Sequence, residues 1–353
     1  MAYTTIDDPS AHFYSYAFSK SSGTGSATFD GNSDLQPDFL WVKSRSNADS
    51  HELWDSTRGV NSTLFSDSTS VEDTAANRIV SFDTDGFTWG NAGNLNAAGN
   101  FVSWAWKANG GTTSSNTSGT ITSTVQVNSD AGFSIGTFTG NGTSGATVGH
   151  GLGVKPDMLI LKSQNNPSGA AMYWIVGHVG LDGMAGLKNL FMSKTWAVNT
   201  ESVIWANTAP TSSVFSVGTN AAVNYTNNDM LFYAFASKQG FSKFGKYTGN
   251  GNTDGAFVYT GFKPALIMMK NASASASWHM VDNKRENYNP TTKVLYANLN
   301  NAEGTEDRVD LLSNGFKLRT TNTEVNGSGY DIVYMAFAEN PFVTSTGIPT
   351  TAR

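Results

Sequence analysis

Two aspartate–arginine pairs with the same spacing are the most regular charged feature of the sequence. Asp55 stands three residues before Arg58, and Asp282 stands three residues before Arg285. Such a carboxylate and guanidinium can grip a ligand, or they can form a local ion pair that pins a turn at the end of a strand. Both aspartates follow a similar apolar run at the same distance, and a fixed position relative to a core strand favours the second reading. We interpret both pairs as structural turn pairs.

Tryptophan supplies the candidate ligand-binding residues. The chain has nine tryptophans, and most of them fall in predicted strands, where packing in a core is the default role. Trp89, Trp196 and Trp205 lie near loop-like sequence instead. An exposed indole ring flanked by polar side chains is a stacking surface for a sugar, so these three are predicted to bind ligand. The alternative for each is an ordinary packing role at the surface or between subunits.

The sequence gives little support for a catalytic site or a metal site. Four acidic residues cluster at Glu303, Glu306, Asp307 and Asp310, but glycoside hydrolysis needs two carboxylates about 5–9 Å apart across a cleft. No spacing here fixes such a pair, so we interpret the cluster as a solvated loop. The five histidines are scattered singly, without the spacing of a metal site. We therefore expect no enzymatic activity, no catalytic residues, no metal and no cofactor.

Three apolar segments position these residues along the chain. They read PDFLWVK (Pro37–Lys43), PDMLILK (Pro156–Lys162) and PALIMMK (Pro264–Lys270). Apolar runs of this length, bounded by proline and lysine, are typical of a strand that is buried on both faces. Each is preceded by a glycine-rich turn and followed by an aromatic strand, and these landmarks occur in the same order three times. The aromatic strands are WAW at 104–106, YAFA at 233–236 and YMAFA at 334–338.

The middle copy departs from the other two at one landmark. It carries His178 and Leu181 near the place where the others carry Asp-x-x-Arg. Any role of the aspartate–arginine pair is therefore expected to be missing there.

The repeat predicts an all-β fold of three tandem antiparallel β-sandwich domains of the jelly-roll or lectin-like kind. The anchoring prolines are 119 and 108 residues apart, which is the size of a self-sufficient β-sandwich. We expect the first domain to be hinged on a flexible Gly/Ser/Thr linker, and the other two to pack rigidly. The predicted boundaries are a docking arm at 1–10, repeats at 11–108, 130–238 and 239–343, a linker at 109–129 and a C-terminal tail at 344–353.

Composition narrows the function classes. Charged residues make up 14% of the 353 residues, about half of the usual share, and the net charge is −6. The sequence lacks a basic run that would follow a phosphate backbone, so nucleic-acid binding is not expected. Cysteine is absent, which excludes disulfides. The start of the chain does not resemble a secretion signal, and no apolar run is long enough for membrane insertion.

The landmarks also resemble a known family. LQPDFLWVKSRS, DSTRG, SFDTDGF and WAWKANGG in the first repeat, and GFSIGTFTGNG and GFSKFGKYTGNG in the others, resemble large tail-fibre-like structural proteins of marine bacteriophages of cyanobacteria and oceanic heterotrophs. The resemblance covers nearly the whole chain. It implies a virion component with a β-sandwich in each unit, and it transmits no catalytic residues.

These expectations combine into one functional hypothesis. The chain is expected to be a virion structural protein, a tail fibre or appendage that contacts the host surface as a glycan-binding adhesin. A capsid head fibre or decoration protein is the alternative, and a surface-polysaccharide depolymerase is the third reading. The expected partners are other virion proteins, further copies of the chain in a trimer, and a host-surface polysaccharide. The protein would be made in the host cytoplasm and exposed outside the cell.

Overall fold

The chain is built almost entirely from antiparallel strands. The structure, a computed structural model, describes residues 2–350, of which the strands are the dominant element: 42% of the chain is strand and 6% is helix. The all-β class predicted from the sequence is therefore confirmed. Helices are limited to one turn each: α1 (Val179–Asp182), α2 (Ser202–Trp205), α3 (Ala221–Asn224) and α4 (Thr323–Asn326), with two 3-10 turns at Pro9–Ala11 and Asn94–Asn96.

Segment 1, which we define as residues 11–108, contains eight strands. They are β1 (Phe13–Lys20), β2 (Gly25–Ala27), β3 (Phe39–Ser44), β4 (Glu52–Asp55), β5 (Leu64–Phe65), β6 (Ile79–Asp83), β7 (Gly86–Trp89) and β8 (Gly99–Trp106). One sheet has the order β1-β8-β3-β4-β5, and a smaller sheet has the order β2-β7-β6.

Segment 2, residues 130–238, is joined by two strands that precede it. The strands are β9 (Ser114–Asn116), β10 (Ser123–Asn128), β11 (Phe133–Thr139), β12 (Ala146–Gly149), β13 (Met158–Ser163), β14 (Ile175–His178), β15 (Lys188–Phe191), β16 (Asn199–Thr200), β17 (Val214–Val217) and β18 (Asp229–Phe235). The large sheet has the order β16-β15-β14-β13-β18-β11-β10-β9, and β12 pairs with β17 in a second sheet.

Segment 3, residues 239–343, forms one continuous sheet. Its strands are β19 (Ser242–Thr248), β20 (Phe257–Tyr259), β21 (Phe262–Asn271), β22 (Trp278–Asp282), β23 (Thr291–Tyr296), β24 (Gly304–Leu312), β25 (Gly315–Leu318) and β26 (Asp331–Pro341), in the order β19-β26-β21-β22-β23-β24-β25-β20. In all three segments the first long strand pairs with the last, the last pairs with the proline–lysine strand, and two further strands follow.

The proline–lysine strands are buried on both faces, as their apolar runs predict. In β3, Phe39 and Trp41 face a central core shared by all three segments, whereas Leu40 and Val42 pack against the smaller sheet of their own segment. The alternation follows from the two-residue period of a strand. A continuous apolar run is therefore needed wherever a sheet lies between two cores.

The central core joins the segments directly. Its aromatic rings cross each boundary: the ring centroids are 4.2 Å apart for Phe39 and Tyr233, 5.9 Å for Phe235 and Phe337, and 4.9 Å for Phe337 and Phe13. Each segment thus contacts both of the others, and the three close into a ring.

One type of backbone hydrogen bond occurs at every boundary of the ring. In each case an amide in one segment donates to the carbonyl that lies two residues after the strand lysine of another segment. The three bonds run from Glu72 to Gln164 (2.8 Å), from Val198 to Ala272 (2.9 Å) and from Glu303 to Arg45 (3.0 Å). The ring is closed in the order 1 to 2, 2 to 3 and 3 to 1.

The stretch at 109–129, predicted to be a Gly/Ser/Thr linker with a hinge, is hydrogen-bonded to segments 1 and 2 in the structure. The carboxylate of Asp38, which is fully buried, accepts hydrogen bonds from the backbone amides of Ala108 (2.6 Å), Gly110 and Gly111 (both 2.9 Å). Later in this stretch, β9 and β10 extend the large sheet of segment 2. Composition indicated flexibility, but the side chains of Asp38 and Gln126 accept hydrogen bonds from the glycine amides.

The predicted docking arm at 1–10 packs on segment 3. Thr4 and Ile6 are 3% and 4% exposed, and the Thr4 hydroxyl donates to the carbonyl of Gln239 at 2.9 Å. The carboxylate of Asp7 accepts the backbone amide of Ser345, which belongs to the predicted C-terminal tail at 344–353, at 2.6 Å. Met1 and residues 351–353 lie outside the described residues.

Candidate functional site: a groove lined with asparagines

The Asp55–Arg58 pair lies at the end of β4, at the boundary between segments 1 and 2. Arg58 donates to Asp55 twice, through its backbone amide (2.9 Å) and through Nε (2.6 Å). The hydroxyl of Tyr233 in segment 2 donates to the same carboxylate at 2.9 Å. The pair therefore joins two ends of a turn and also contacts a second segment, which the sequence did not indicate.

The Asp282–Arg285 pair repeats this arrangement at the boundary between segments 3 and 1. Arg285 donates to Asp282 through its backbone amide (3.0 Å) and Nε (2.6 Å). The indole nitrogen of Trp104 in segment 1 donates to Asp282 Oδ2 at 3.1 Å. Both aspartates are at most 1% exposed. A buried carboxylate needs charged or hydrogen-bonding partners, and the donors described above supply them.

A glutamate of the same segment extends each pair. Arg58 Nη1 lies 2.6 Å from Glu72 Oε2, and Arg285 Nη1 lies 3.2 Å from Glu303 Oε2. Glu303 also accepts from Arg45 of segment 1, at 2.8 Å. The interpretation of Glu303–Asp310 as a solvated loop is therefore corrected. Glu303 forms an ion pair across the interface with Arg45, and residues 304–312 form β24.

The boundary between segments 2 and 3 has no such ion pair among the described residues. His178 Nδ1 accepts from the backbone amide of Gly180 (3.0 Å), so its Nε2–H donates to the carbonyl of Tyr334 (3.0 Å). Burial lowers the pKa of His178 to about 4, which keeps the imidazole neutral. Leu181 packs against the central core. The departure seen in the sequence therefore exchanges a buried ion pair for a neutral hydrogen bond and apolar packing.

A long groove opens beside the Asp282–Arg285 pair. Two adjoining cavities of about 710 Å³ and about 440 Å³ share the lining residues Asn283, Asn287, Glu339 and Asn340. We call the combined feature the asparagine groove. It runs from the loop after β22 to the start of segment 1, so both segments contribute walls.

The loop that forms one rim of the groove is held rigidly. Both groups of the Asn289 side-chain amide bond to the backbone of Leu311, each at 2.9 Å. Glu286 accepts from the hydroxyl of Thr292 at 2.8 Å. Burial acts to raise the pKa of Glu286, but the hydrogen bonds from Thr292 outweigh it and hold the pKa below its usual value. Between these anchors Tyr288 is 66% exposed.

The groove is polar without carrying a spare positive charge. Lys263 pairs with Glu339 at 2.8 Å, and Lys284 lies 3.3 Å from Asp30. With Glu286 in addition, the lining has more acidic than basic groups. Oδ1 of Asn283 is buried and has no hydrogen-bond partner among residues 2–350. The groove is thus suited to a neutral ligand that donates hydroxyl hydrogen bonds.

Only one of the three predicted ligand-binding tryptophans presents its ring to solvent. Trp196 is 46% exposed and contacts Tyr173 and Phe191, with ring centroids 5.5 Å and 5.2 Å away. Trp89 and Trp205 are each 4% exposed and belong to the cores of segments 1 and 2. Their assignment as stacking residues is corrected, because no face of either ring is free.

Two observations concern metal binding and membrane crossing. Within residues 2–350, no group of three or more histidine, aspartate or glutamate side chains is placed to hold a metal ion. Over the same range, no helix has both the length and the apolar character to cross a bilayer.

The groove was missed at the sequence level. Its only local signal is the run ENYNP at 286–290, in which a tyrosine stands between two asparagines just before a proline. That run predicts an exposed turn. The wall from segment 1, including Tyr14 and Asn32, comes from a distant part of the chain and leaves no trace in the local pattern.

One comparison with known proteins places the chain in a family. The chain is an all-β protein made of antiparallel sheets with a polar groove between two of its segments. A family model described as a domain of unknown function, DUF7483, matches residues 8–341, so the chain belongs to this family. No curated protein and no solved structure matches the chain significantly.

Proposed function

We propose that the chain is a structural protein of a bacteriophage virion that binds a neutral glycan of the host surface in the asparagine groove. In this proposal each segment is a β-sandwich unit derived from one repeated ancestor, and the protein has no enzymatic activity. The resemblance of its landmarks to tail-fibre-like proteins of marine phages supports the virion context.

The observation that carries the binding proposal is the exposed ring of Tyr288 on a rigid rim above a row of asparagine side chains. An aromatic face stacks on the apolar face of a sugar, and amides hydrogen-bond its hydroxyls. Because Asn289 and Glu286 already hold the loop, little conformational entropy is lost when a ligand binds.

Charge favours a neutral glycan over an acidic one. The lysines of the groove are paired with Glu339 and Asp30, so an anionic sugar would have to displace a carboxylate to gain a cation. The net charge of −6 opposes the approach of polyanions as well.

A polysaccharide array probed with the full chain tests this proposal. The array carries neutral and acidic bacterial surface polysaccharides, and we expect binding to neutral ones. Tyr288→Ala is expected to weaken that binding about tenfold, or about 1.4 kcal/mol. Tyr330→Ala is the matched control, because Tyr330 is 37% exposed and is not part of the groove. Equal binding by Tyr288→Ala and the parent protein would exclude the groove as the site.

The position on the virion is tested separately. Immunogold labelling of phage particles is expected to mark the tail, as for a fibre. Label on the head alone would favour the capsid fibre or decoration protein. Release of reducing sugar from a bound polysaccharide would replace the binding proposal with a depolymerase.

The trimer and the contacts with other virion proteins belong to the same proposal. Three separate chains in a fibre would bury one another's apolar faces. The central core already buries such faces within one chain. A trimer would therefore be held by outer surfaces, and its test is the mass of the purified protein in solution.

A further inference from the structure

We propose that the cleft between segments 1 and 2 is a second saccharide-binding site, so that one chain is bivalent. The inference rests on the proposed glycan-binding function and adds a site to it. The cleft has a volume of about 770 Å³ and borders the Asp55–Arg58 pair, just as the asparagine groove borders the Asp282–Arg285 pair. We call it the threonine cleft.

Hydroxyl groups cover one wall of this cleft. Thr124 of β10 stands opposite Thr137 of β11 in the sheet register, and Thr122 and Thr139 lie next to them along the two strands. Alternation along each strand places all four threonines on the same face. Each hydroxyl can both donate and accept, which matches the hydroxyls of a sugar ring.

The opposite wall is fixed by ion pairs and amides. Arg58 is held between Asp55 and Glu72, and the backbone amide of Glu72 bonds to segment 2. On the adjoining edge, Asn165 and Asp229 hold each other through two hydrogen bonds, of 2.8 Å and 3.0 Å. The exposed charge of the lining is more acidic than basic, so this cleft also suits a neutral saccharide.

One equivalent position decides whether a boundary is open. The residue two places after the aspartate lines the opening in both cases: Thr57 lines the threonine cleft, and Lys284 lines the asparagine groove. The residue two places after His178 is Gly180. A Cβ added there would lie 2.9 Å from the carbonyl oxygen of Gly245 and 3.0 Å from Val333.

The boundary between segments 2 and 3 is therefore closed. A glycine is required where α1 packs on β19, since even a methyl group would collide with backbone. The polar residues of the other boundaries are replaced together by Leu181, Val198 and Ala272. Two open boundaries and one closed boundary give two sites per chain.

Soaking crystals of the full chain in the methyl α-glycosides of glucose, galactose and mannose tests this inference. We expect electron density for a glycoside against Thr124 and Thr137, density in the asparagine groove, and none at the boundary between segments 2 and 3. Density in the groove alone would overturn the second site and leave the proposed function standing. Density in the cleft alone would overturn the groove, and an empty molecule would overturn both.

A double variant tests the cleft in solution. Thr124→Val with Thr137→Val removes two hydroxyls with little change of shape, and it is expected to weaken glycoside binding at the cleft at least tenfold. An NMR titration of the full chain reads the two sites separately, so binding at the groove should be unchanged. Thr24→Val with Thr28→Val is the matched control on exposed threonines elsewhere. Unchanged binding at the cleft in the first variant would contradict the assignment.

Discussion

The hydroxyl of Tyr233 donates a hydrogen bond of 2.9 Å to Asp55, although the two residues belong to different segments. The acceptor is a fully buried carboxylate that also holds both the backbone and the guanidinium of Arg58. A local turn and an interface therefore depend on the same two oxygen atoms. This dual use makes Asp55 a sensitive point of the ring.

Asp55→Ala is expected to destabilise the protein by about 3 kcal/mol, because Arg58 would keep only Glu72 as a counterion and the hydroxyl of Tyr233 would lose its acceptor. Urea unfolding followed by circular dichroism measures the loss. Asp34→Ala is the control, since Asp34 is exposed, and its effect should stay within about 0.5 kcal/mol. Similar stabilities for the two variants would mean that the buried pair does not contribute to the ring.

The buried strand lysine of segment 2 predicts a pH dependence. Lys162 is fully buried, and burial lowers its pKa to about 7. An unfolded lysine titrates near 10.4, so the unfolded chain binds the proton more tightly. The free energy of unfolding therefore rises with pH between about 7 and 10.4, and at neutral pH the burial of this charge lowers stability.

Lys162→Met should remove that rise. Relative to the variant, the parent protein is expected to gain up to about 1.4 kcal/mol per pH unit across this window. Urea unfolding at pH 7 and pH 9.5 checks it, and Lys155→Met serves as the control because Lys155 is exposed. If the free energy of unfolding changed with pH in the same way for the parent and Lys162→Met, the prediction would be contradicted.

The stretch at 109–129 is expected to resist proteolysis. Asp38→Ala removes the acceptor of the amides of Gly110 and Gly111, so brief digestion with subtilisin should now cut near these glycines. Mass spectrometry of the fragments locates the cut. Asp130 is exposed and lies beyond the stretch, so Asp130→Ala should show the same digestion pattern as the parent protein. Rapid cleavage of the parent protein at the same place would instead support a flexible linker at 109–129.

Trp196 should dominate the quenching of fluorescence by acrylamide. It is 46% exposed, whereas each of the other eight tryptophans is at most 4% exposed. Trp196→Phe is therefore expected to remove most of the quenchable emission, and Trp205→Phe should leave it nearly unchanged. Strong residual quenching in Trp196→Phe would place another indole at the surface.

Local patterns predicted the parts of the fold that local physics decides. The strands at Pro37–Lys43 and its two counterparts follow from their apolar runs, and the Asp55–Arg58 turn follows from spacing. The environment of Trp205 was not predicted, because its side chain is buried by segment 2 strands that are distant in sequence.

The candidate sites depend on which segments meet, and that information is not local. Nothing in the sequence around Tyr233 indicates Asp55 as its partner. The substitution of His178 for aspartate was visible, but its meaning required the packing of Gly180 against Gly245. At 109–129 the composition did not reveal the hydrogen bonds to the glycine amides, because their acceptors are the side chains of Asp38 and Gln126.

The contact between Asp7 and Ser345 has a consequence for chain connectivity. Because the two ends of the described chain meet on segment 3, the covalent order of the segments is not what holds them together. A circular permutant that joins these ends and opens the chain at the exposed residue Ser237 would keep all three backbone contacts between segments. The ring is closed by packing between the segments.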